Sequence, residues 1–180
     1  VCPVCATAFY VRPPQYQPGA QHLRPGQILL DDFLVERVLG EGGVGRVYLL
    51  SDQSTGLRFV VKHVKGLSES ERRSFLTELQ QWIDLPEHAN LLPCRFVRDL
   101  GDELLLFSEQ VESGSLKQWI ETGKLYASDP RTALARMLDV AMQFAWGLHC
   151  LHELQVVHQA VKPANVMMSP DGTARIADFE

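Results

Sequence analysis

Between Ile28 and Val64 the chain alternates β-rich runs with turn clusters. Phe33-Leu34-Val35 leads through Arg37-Val38-Leu39 into Gly40-Glu41-Gly42-Gly43-Val44-Gly45, and Val47-Tyr48-Leu49-Leu50 follows. A polar turn over 51–56 then precedes Arg58-Phe59-Val60-Val61-Lys62-His63-Val64. The order reads strand, glycine turn, strand, turn, strand. From Ser68 the spacing changes. Phe75, Leu79, Trp82 and Ile83 recur at helical intervals and predict a helix over 68–85, opened by a capping box of Ser68 with Glu71. Glu78 falls at or beside that stripe, and an inward-facing carboxylate needs a cationic partner, for which Lys62 is the candidate. Leu104-Leu105-Leu106-Phe107 reads as a buried strand, and Gly114-Ser115-Leu116 opens a short helix. A long helix is expected over 131–153 with Leu134, Leu138, Ala141, Ala145 and Leu148 on its apolar face. Val156-Val157, Val166-Met167-Met168 and Arg175-Ile176-Ala177 read as short strands, the last two joined by a turn over 169–172. Residues 6–27, with Pro13, Pro14, Pro18 and Pro25, read as an extended linker.

The order of elements separates two glycine-loop chemistries. A dinucleotide-binding fold places a helix directly after its glycines, so that the helix N-terminus meets the pyrophosphate. Here a β-branched run follows instead, which makes a hairpin whose glycine-rich tip can fold over phosphates. Gly40, Gly42 and Gly45 let backbone amides approach a triphosphate with no Cβ in the way.

Composition narrows the classes. The 180 residues are 46% apolar and 22% charged, as in a globular domain with a core. A net charge of -5 gives no electrostatic footprint for nucleic acid. No run approaches the length of a membrane span, and the first residues lack the basic and apolar regions of a signal peptide, so a cytoplasmic location is expected. Cys2 and Cys5 form a knuckle whose spacing lets two thiolates reach one zinc ion, which is half of a structural site. Cys94 and Cys150 stand in apolar contexts and read as small buried hydrophobes.

His158-Gln159-Ala160-Val161-Lys162-Pro163-Ala164-Asn165, followed by Ala177-Asp178-Phe179, resembles the catalytic loop and metal-binding segment of protein kinases, whose pattern is H-R-D-x-K-x-x-N and then D-F-G. The resemblance extends from Ile28 to the end and is closest to bacterial-type serine/threonine protein kinases, some of which carry a zinc ribbon ahead of the kinase domain. It implies an α+β, protein-kinase-like fold with a five-stranded antiparallel small lobe, one helix, and part of a helical large lobe. The corresponding division is 1–27 as knuckle and linker, 28–111 as small lobe and hinge, and 112–180 as partial large lobe. The chain is expected to be a fragment of a longer protein.

The resemblance also implies roles. Gly40, Gly42, Gly45 and Val47 would surround ATP, Lys62 would grip its α- and β-phosphates, and Glu78 would hold Lys62. Ser108 would stand as a small gatekeeper, with Glu109 to Val111 offering backbone groups to adenine. Asn165 and Asp178 would bind Mg2+, and Lys162 would contact the transferred phosphate. His158 is expected to be structural, and His149 and His152 structural or exposed. Three positions depart from the pattern, two of them with consequences for function. Gln159 replaces the arginine that pairs with an activation-loop phosphate. Ala160 stands where the family has the aspartate that accepts the substrate hydroxyl's proton, a transfer worth about 10²–10⁴ in rate. Glu180 stands where the pattern has glycine. The leading expectation is an ATP- and Mg2+-binding domain with impaired phosphotransfer, a pseudokinase acting on or with an unknown protein. The alternatives are an active kinase in which Ala160 is a changed or misread residue, and a non-catalytic interaction module with a zinc-binding adaptor.

Overall fold

A computed structural model of the chain describes residues 22–42 and 45–177. Expectations placed on Cys2, Cys5, most of the 6–27 linker, Gly43, Val44, Asp178, Phe179 and Glu180 lie outside the described residues. Two compact units are present. One comprises the stretch up to Thr77 with Cys94–Gln110, and the other Glu78–Pro93 with the stretch from Val111.

The first unit is an antiparallel sheet of β1 (Ile28–Leu29), β2 (Phe33–Gly42), β3 (Gly45–Asp52), β4 (Arg58–Lys65), β5 (Cys94–Asp99) and β6 (Glu103–Glu109), in the order β1-β2-β3-β4-β6-β5. Five strands were expected, and the sixth is β1. Leu30 and Asp31 both take left-handed backbone (φ 54° and 68°), which folds Ile28-Leu29 back onto Phe33-Leu34. No glycine marks that turn, and its available signal was Asp31, a residue type enriched at positive φ, which the apolar run Ile28-Leu29-Leu30 ahead of it masks. The end of the expected linker is also built in. Gly26 donates to the Val35 carbonyl and Val35 to that of Gln27, both at 2.8 Å, and Leu23 is buried in the core with Leu29, Val35, Tyr48, Leu50, Val61, Leu105 and Phe107. Around them Phe33, Phe59, Phe96 and Phe107 form an aromatic cluster, Phe96 stacked on Phe107 at 4.4 Å. Each large apolar side chain buried in this way contributes about 1.5–3 kcal/mol.

Helix α1 (Glu69–Ile83) starts where its capping box predicts: Ser68 N–H donates to the Glu71 carboxylate at 2.8 Å. Leu79 and Trp82 are its buried residues. Glu78 is exposed, which corrects the expectation that its carboxylate faces inward.

The second unit holds α2 (Leu116–Glu121), α3 (Pro130–Glu153) and a two-stranded sheet of β7 (Val166–Met168) and β8 (Ala174–Ile176). Ser115 and Gln118 form a full capping box for α2, and Asp129 caps α3 ahead of Pro130. The expected apolar face of α3 is corrected. Leu134, Leu138, Ala141 and Ala145 are exposed, and the face turned inward carries Ala133, Met137, Val140, Phe144, Gly147 and Leu151. This helix is apolar on two sides, so periodicity alone offered two answers. Gly147 decides between them: a Cβ there would lie 2.8 Å from the Asn90 carbonyl oxygen and 2.8 Å from Ile176 Cδ1. Val156-Val157 is not a strand. Gln155 takes left-handed backbone (φ 59°), and Gln155 and Val156 donate at 2.9 Å to the His152 and Leu151 carbonyls, so the segment closes the end of α3 in a Schellman motif.

Candidate active site

In the first unit the sheet register lines up the glycine hairpin with Lys62. Gly40 stands opposite Val47, Val47 opposite Lys62, and Lys62 opposite Leu106. Residues directly opposite share a face, so Gly40, Val47, Lys62 and Leu106 form one row across four strands. The adjacent row is Glu41, Arg46, His63 and Leu105 on the other face. Glycine is required at two of these places for different reasons. A Cβ on Gly45 would lie 2.1 Å from the His63 carbonyl oxygen, so Gly45 lets β3 approach β4. A Cβ on Gly40 would meet nothing within 4 Å, so no neighbour in the fold asks for glycine there. The hairpin arms are tied by an ion pair, Arg46 Nη2 to Glu41 Oε2 at 3.1 Å, whose hydrogen bond holds the Glu41 carboxyl below its usual range.

Ser108 lies on β6 opposite Val60, two residues after Leu106 and therefore on the Lys62 face. Glu109 ends that strand and pairs its side chain with Arg95. Gln110 N–H reaches the Arg58 carbonyl at 3.4 Å. Glu78 and Val111 belong to the second unit.

In the second unit the loop 158–165 is held by its own polar groups. His158 is buried, its Nε2 3.0 Å from the Ala177 carbonyl oxygen, while the Ala160 N–H points to Nδ1 at 3.3 Å. An acceptor on one side and a donor on the other place the ring proton on Nε2, a structural role. Ala160 N–H also lies 2.7 Å from the His158 carbonyl across Gln159, whose φ is 57°. Asn165 is buried, and its Nδ2 donates to the Ala160 carbonyl at 3.0 Å. The loop thus brings Ala160 and Asn165 together, with Lys162 exposed between them. Its backbone is fixed on both sides of Ala160, and the side chain there is a methyl group, which accepts no proton. His149 and His152 are exposed on α3.

Two polar clusters escaped the sequence reading. Asn90 is buried and donates to Gln143 Oε1 at 3.1 Å and to the Ala174 carbonyl at 3.0 Å, joining the turn before β5 to α3 and β8. On the far face of the Lys62 sheet, His63 Nε2 lies 2.7 Å from Glu103 Oε2, both residues being 2% exposed. The available signal was a glutamate at the head of the apolar run Leu104–Phe107, a place where a charge needs a partner. Among the described residues no group of three or more His, Cys, Asp or Glu could hold a metal ion.

A model of the protein kinase domain matches residues 33–180. The chain is 31% identical over 166 residues to a probable LRR receptor-like serine/threonine-protein kinase of Arabidopsis thaliana, covering 91% of this chain and 16% of that protein. It is 34% identical over 152 residues to another receptor-like serine/threonine-protein kinase of Arabidopsis thaliana, covering 83% and 19%. A leucine-rich repeat receptor protein kinase of Oryza sativa subsp. japonica is 29% identical over 155 residues, covering 83% and 12%. The chain therefore spans less than a quarter of the length of these relatives. Strand, glycine hairpin, lysine strand and the 158–165 loop stand in the order that this family shares, and the chain belongs to the protein kinase domain family, with its α+β fold.

Proposed function

We propose that this domain binds ATP with Mg2+ in the manner of a serine/threonine protein kinase, and that Ala160 leaves it impaired in phosphotransfer. The observation that supports this most is the row Gly40, Val47, Lys62: a glycine that the fold does not need, beside a lysine on the same face. The residues present fit the ligand. Backbone at Gly40 is open to a phosphate, Lys62 supplies a cation, and Asn165, whose nitrogen is engaged by Ala160, carries the amide oxygen that suits a hard cation. Magnesium, when bound, would neutralise charge on the phosphates. Asp178 is the second ligand that the family pattern assigns. Lys162 would meet the transferred phosphate, and Glu109 and Val111 would present backbone to adenine. A hydroxyl-bearing protein would be the substrate, or the partner if no transfer occurs. The relatives named above are plant proteins, so the bacterial subtype is not carried forward, and zinc at Cys2 and Cys5 rests on their spacing alone.

Titration of the full chain with Mg-ATP tests this reading: saturable binding that Lys62→Met removes is expected, and an absence of binding by the unaltered chain overturns it. A second reading, an active kinase altered at one position, is favoured by the loop itself, since the Ala160 N–H donates to His158 Nδ1 and the Ala160 carbonyl accepts from Asn165, which holds the backbone on both sides of Ala160. In the intact protein Ala160→Asp should raise phosphate incorporation into a generic protein substrate by about 10²–10⁴. No gain would remove support for that second reading.

A further inference from the structure

The buried His63–Glu103 pair stands one residue from Lys62 on β4 and on the opposite face of the sheet. Burying two ionisable groups in an apolar layer is unfavourable compared with an apolar pair of the same size, so such a pair is weak evidence for stability and better evidence for specificity. What it specifies here is legible from the register. His63 lies opposite Leu105 on β6, and Glu103 stands two residues before Leu105 on that same face. Sliding β4 by one residue would carry His63 to the other face and leave Glu103 buried without its partner, while turning Lys62 into the aromatic core. Strand β4 is central in the sheet, between β3 and β6, so its register sets where Lys62 stands relative to Gly40 and Val47.

We propose that His63 and Glu103 are positioning residues for Lys62, and that protonation of His63 loosens this hold, making nucleotide affinity fall in mildly acidic solution. The proposal rests on the nucleotide reading of Lys62 given above. The surroundings of His63 are weighted against a second proton. Burial holds its pKa below the ordinary value of 6.5, against the opposing pull of Glu103. Around the pair, β4 contributes Lys65, whose Nζ is 4.0 Å from Glu103 Oε1, and β3 contributes Arg46 opposite His63 and the Tyr48 ring with its centroid 6.2 Å away. Strand β2 contributes Glu41, engaged by Arg46, and β5 contributes Arg98 opposite Leu105. The segment before β1 contributes His22, which lowers the His63 pKa further. A neutral His63 donates Nε2–H to Glu103 and leaves a lone pair on Nδ1, which is buried with no hydrogen-bond partner among the described residues. A protonated ring would put a buried N–H at that same place with no acceptor among the described residues. Because the folded-state pKa is depressed, the unfolded chain takes up the proton first. The contribution is therefore intact above about 6.5 and lost as pH falls through the folded-state pKa.

The experiment is titration of the full chain with Mg-ATP between pH 5 and 8, for the unaltered protein, His63→Gln and Glu103→Gln, with folding of each checked by circular dichroism at every pH. Comparison with His63→Gln cancels titration of the nucleotide itself. About tenfold weaker binding at the acid end is expected for the unaltered chain relative to that variant. Glu103→Gln removes the group that raises the His63 pKa, so its acid limb should move to lower pH. If His63→Gln does not fold, displacement of the limb in Glu103→Gln decides alone. Identical pH profiles in the folded proteins overturn the positioning role and leave the nucleotide reading standing. No binding by the unaltered chain near pH 7.5 overturns both.

Discussion

At the scale of single residues, glycine divides into two kinds. Gly45 is required by the sheet, because a methyl group there collides with the backbone of His63. Gly40 is required by nothing in the fold. The two substitutions should therefore separate. Gly45→Ala is expected to lower stability by about 1–3 kcal/mol, as overpacking does. Gly40→Ala should leave the unfolding midpoint nearly unchanged and weaken Mg-ATP binding. Parallel denaturant melts and nucleotide titrations check this, and equal loss of stability in both variants would contradict the assignment. The sequence marked both glycines but could not sort them, since sorting depends on which strand lies behind each one. Cys94 was read as a buried hydrophobe and is one: burial pushes its thiol up to about 12, so it carries no thiolate near neutral pH.

At the scale of elements, the capped helices were legible because a cap is a local contract. Ser68 with Glu71 and Ser115 with Gln118 form within one turn, whatever the rest of the chain does. The face that α3 buries was not legible, because Leu134 and Leu138 are as apolar as Met137 and Phe144. Gly147 is the residue that breaks the tie. Alanine is the better helix former by about 1 kcal/mol, yet Gly147→Ala should destabilise the second unit, because its Cβ would meet the Asn90 carbonyl and Ile176. A lower thermal midpoint with unchanged helix content would bear this out, and a higher midpoint would show that the helix can shift away. Asn90 and Gln143 lie beyond sequence reading for a related reason: their hydrogen bonds link residues 53 positions apart.

At the scale of the whole molecule, the family was legible from motif order, while the sheet order and the sixth strand were not. Local runs fix what can become a strand, but the insertion of β6 between β4 and β5 depends on non-local pairing, and the hairpin that adds β1 turns on left-handed backbone at Leu30 and Asp31, which no glycine marks. The second unit also leaves an apolar row on its surface. Leu134, Leu138, Met142 and Trp146, at every fourth position of α3, are each more than half exposed. Replacing Leu138 and Trp146 by glutamine should shift stability by no more than about 0.5 kcal/mol each, the range of surface changes. It should also lower the binding of a hydrophobic dye. A large loss of stability would mean that this row is covered. No helix among the described residues is long and apolar enough to cross a membrane.

The sheet order has a consequence for the chain while it is being made. Strand β4 leaves the ribosome well before β6, its eventual neighbour, and for that interval it is the open border of a growing sheet. Its run Phe59-Val60-Val61 would readily recruit a strand from another nascent chain. Lys62 and Lys65, charged residues placed along that border, oppose such pairing until Glu103–Glu109 arrives to claim the position. Lys62, whatever it does in the finished domain, thus first serves with Lys65 as a guard against aggregation during synthesis.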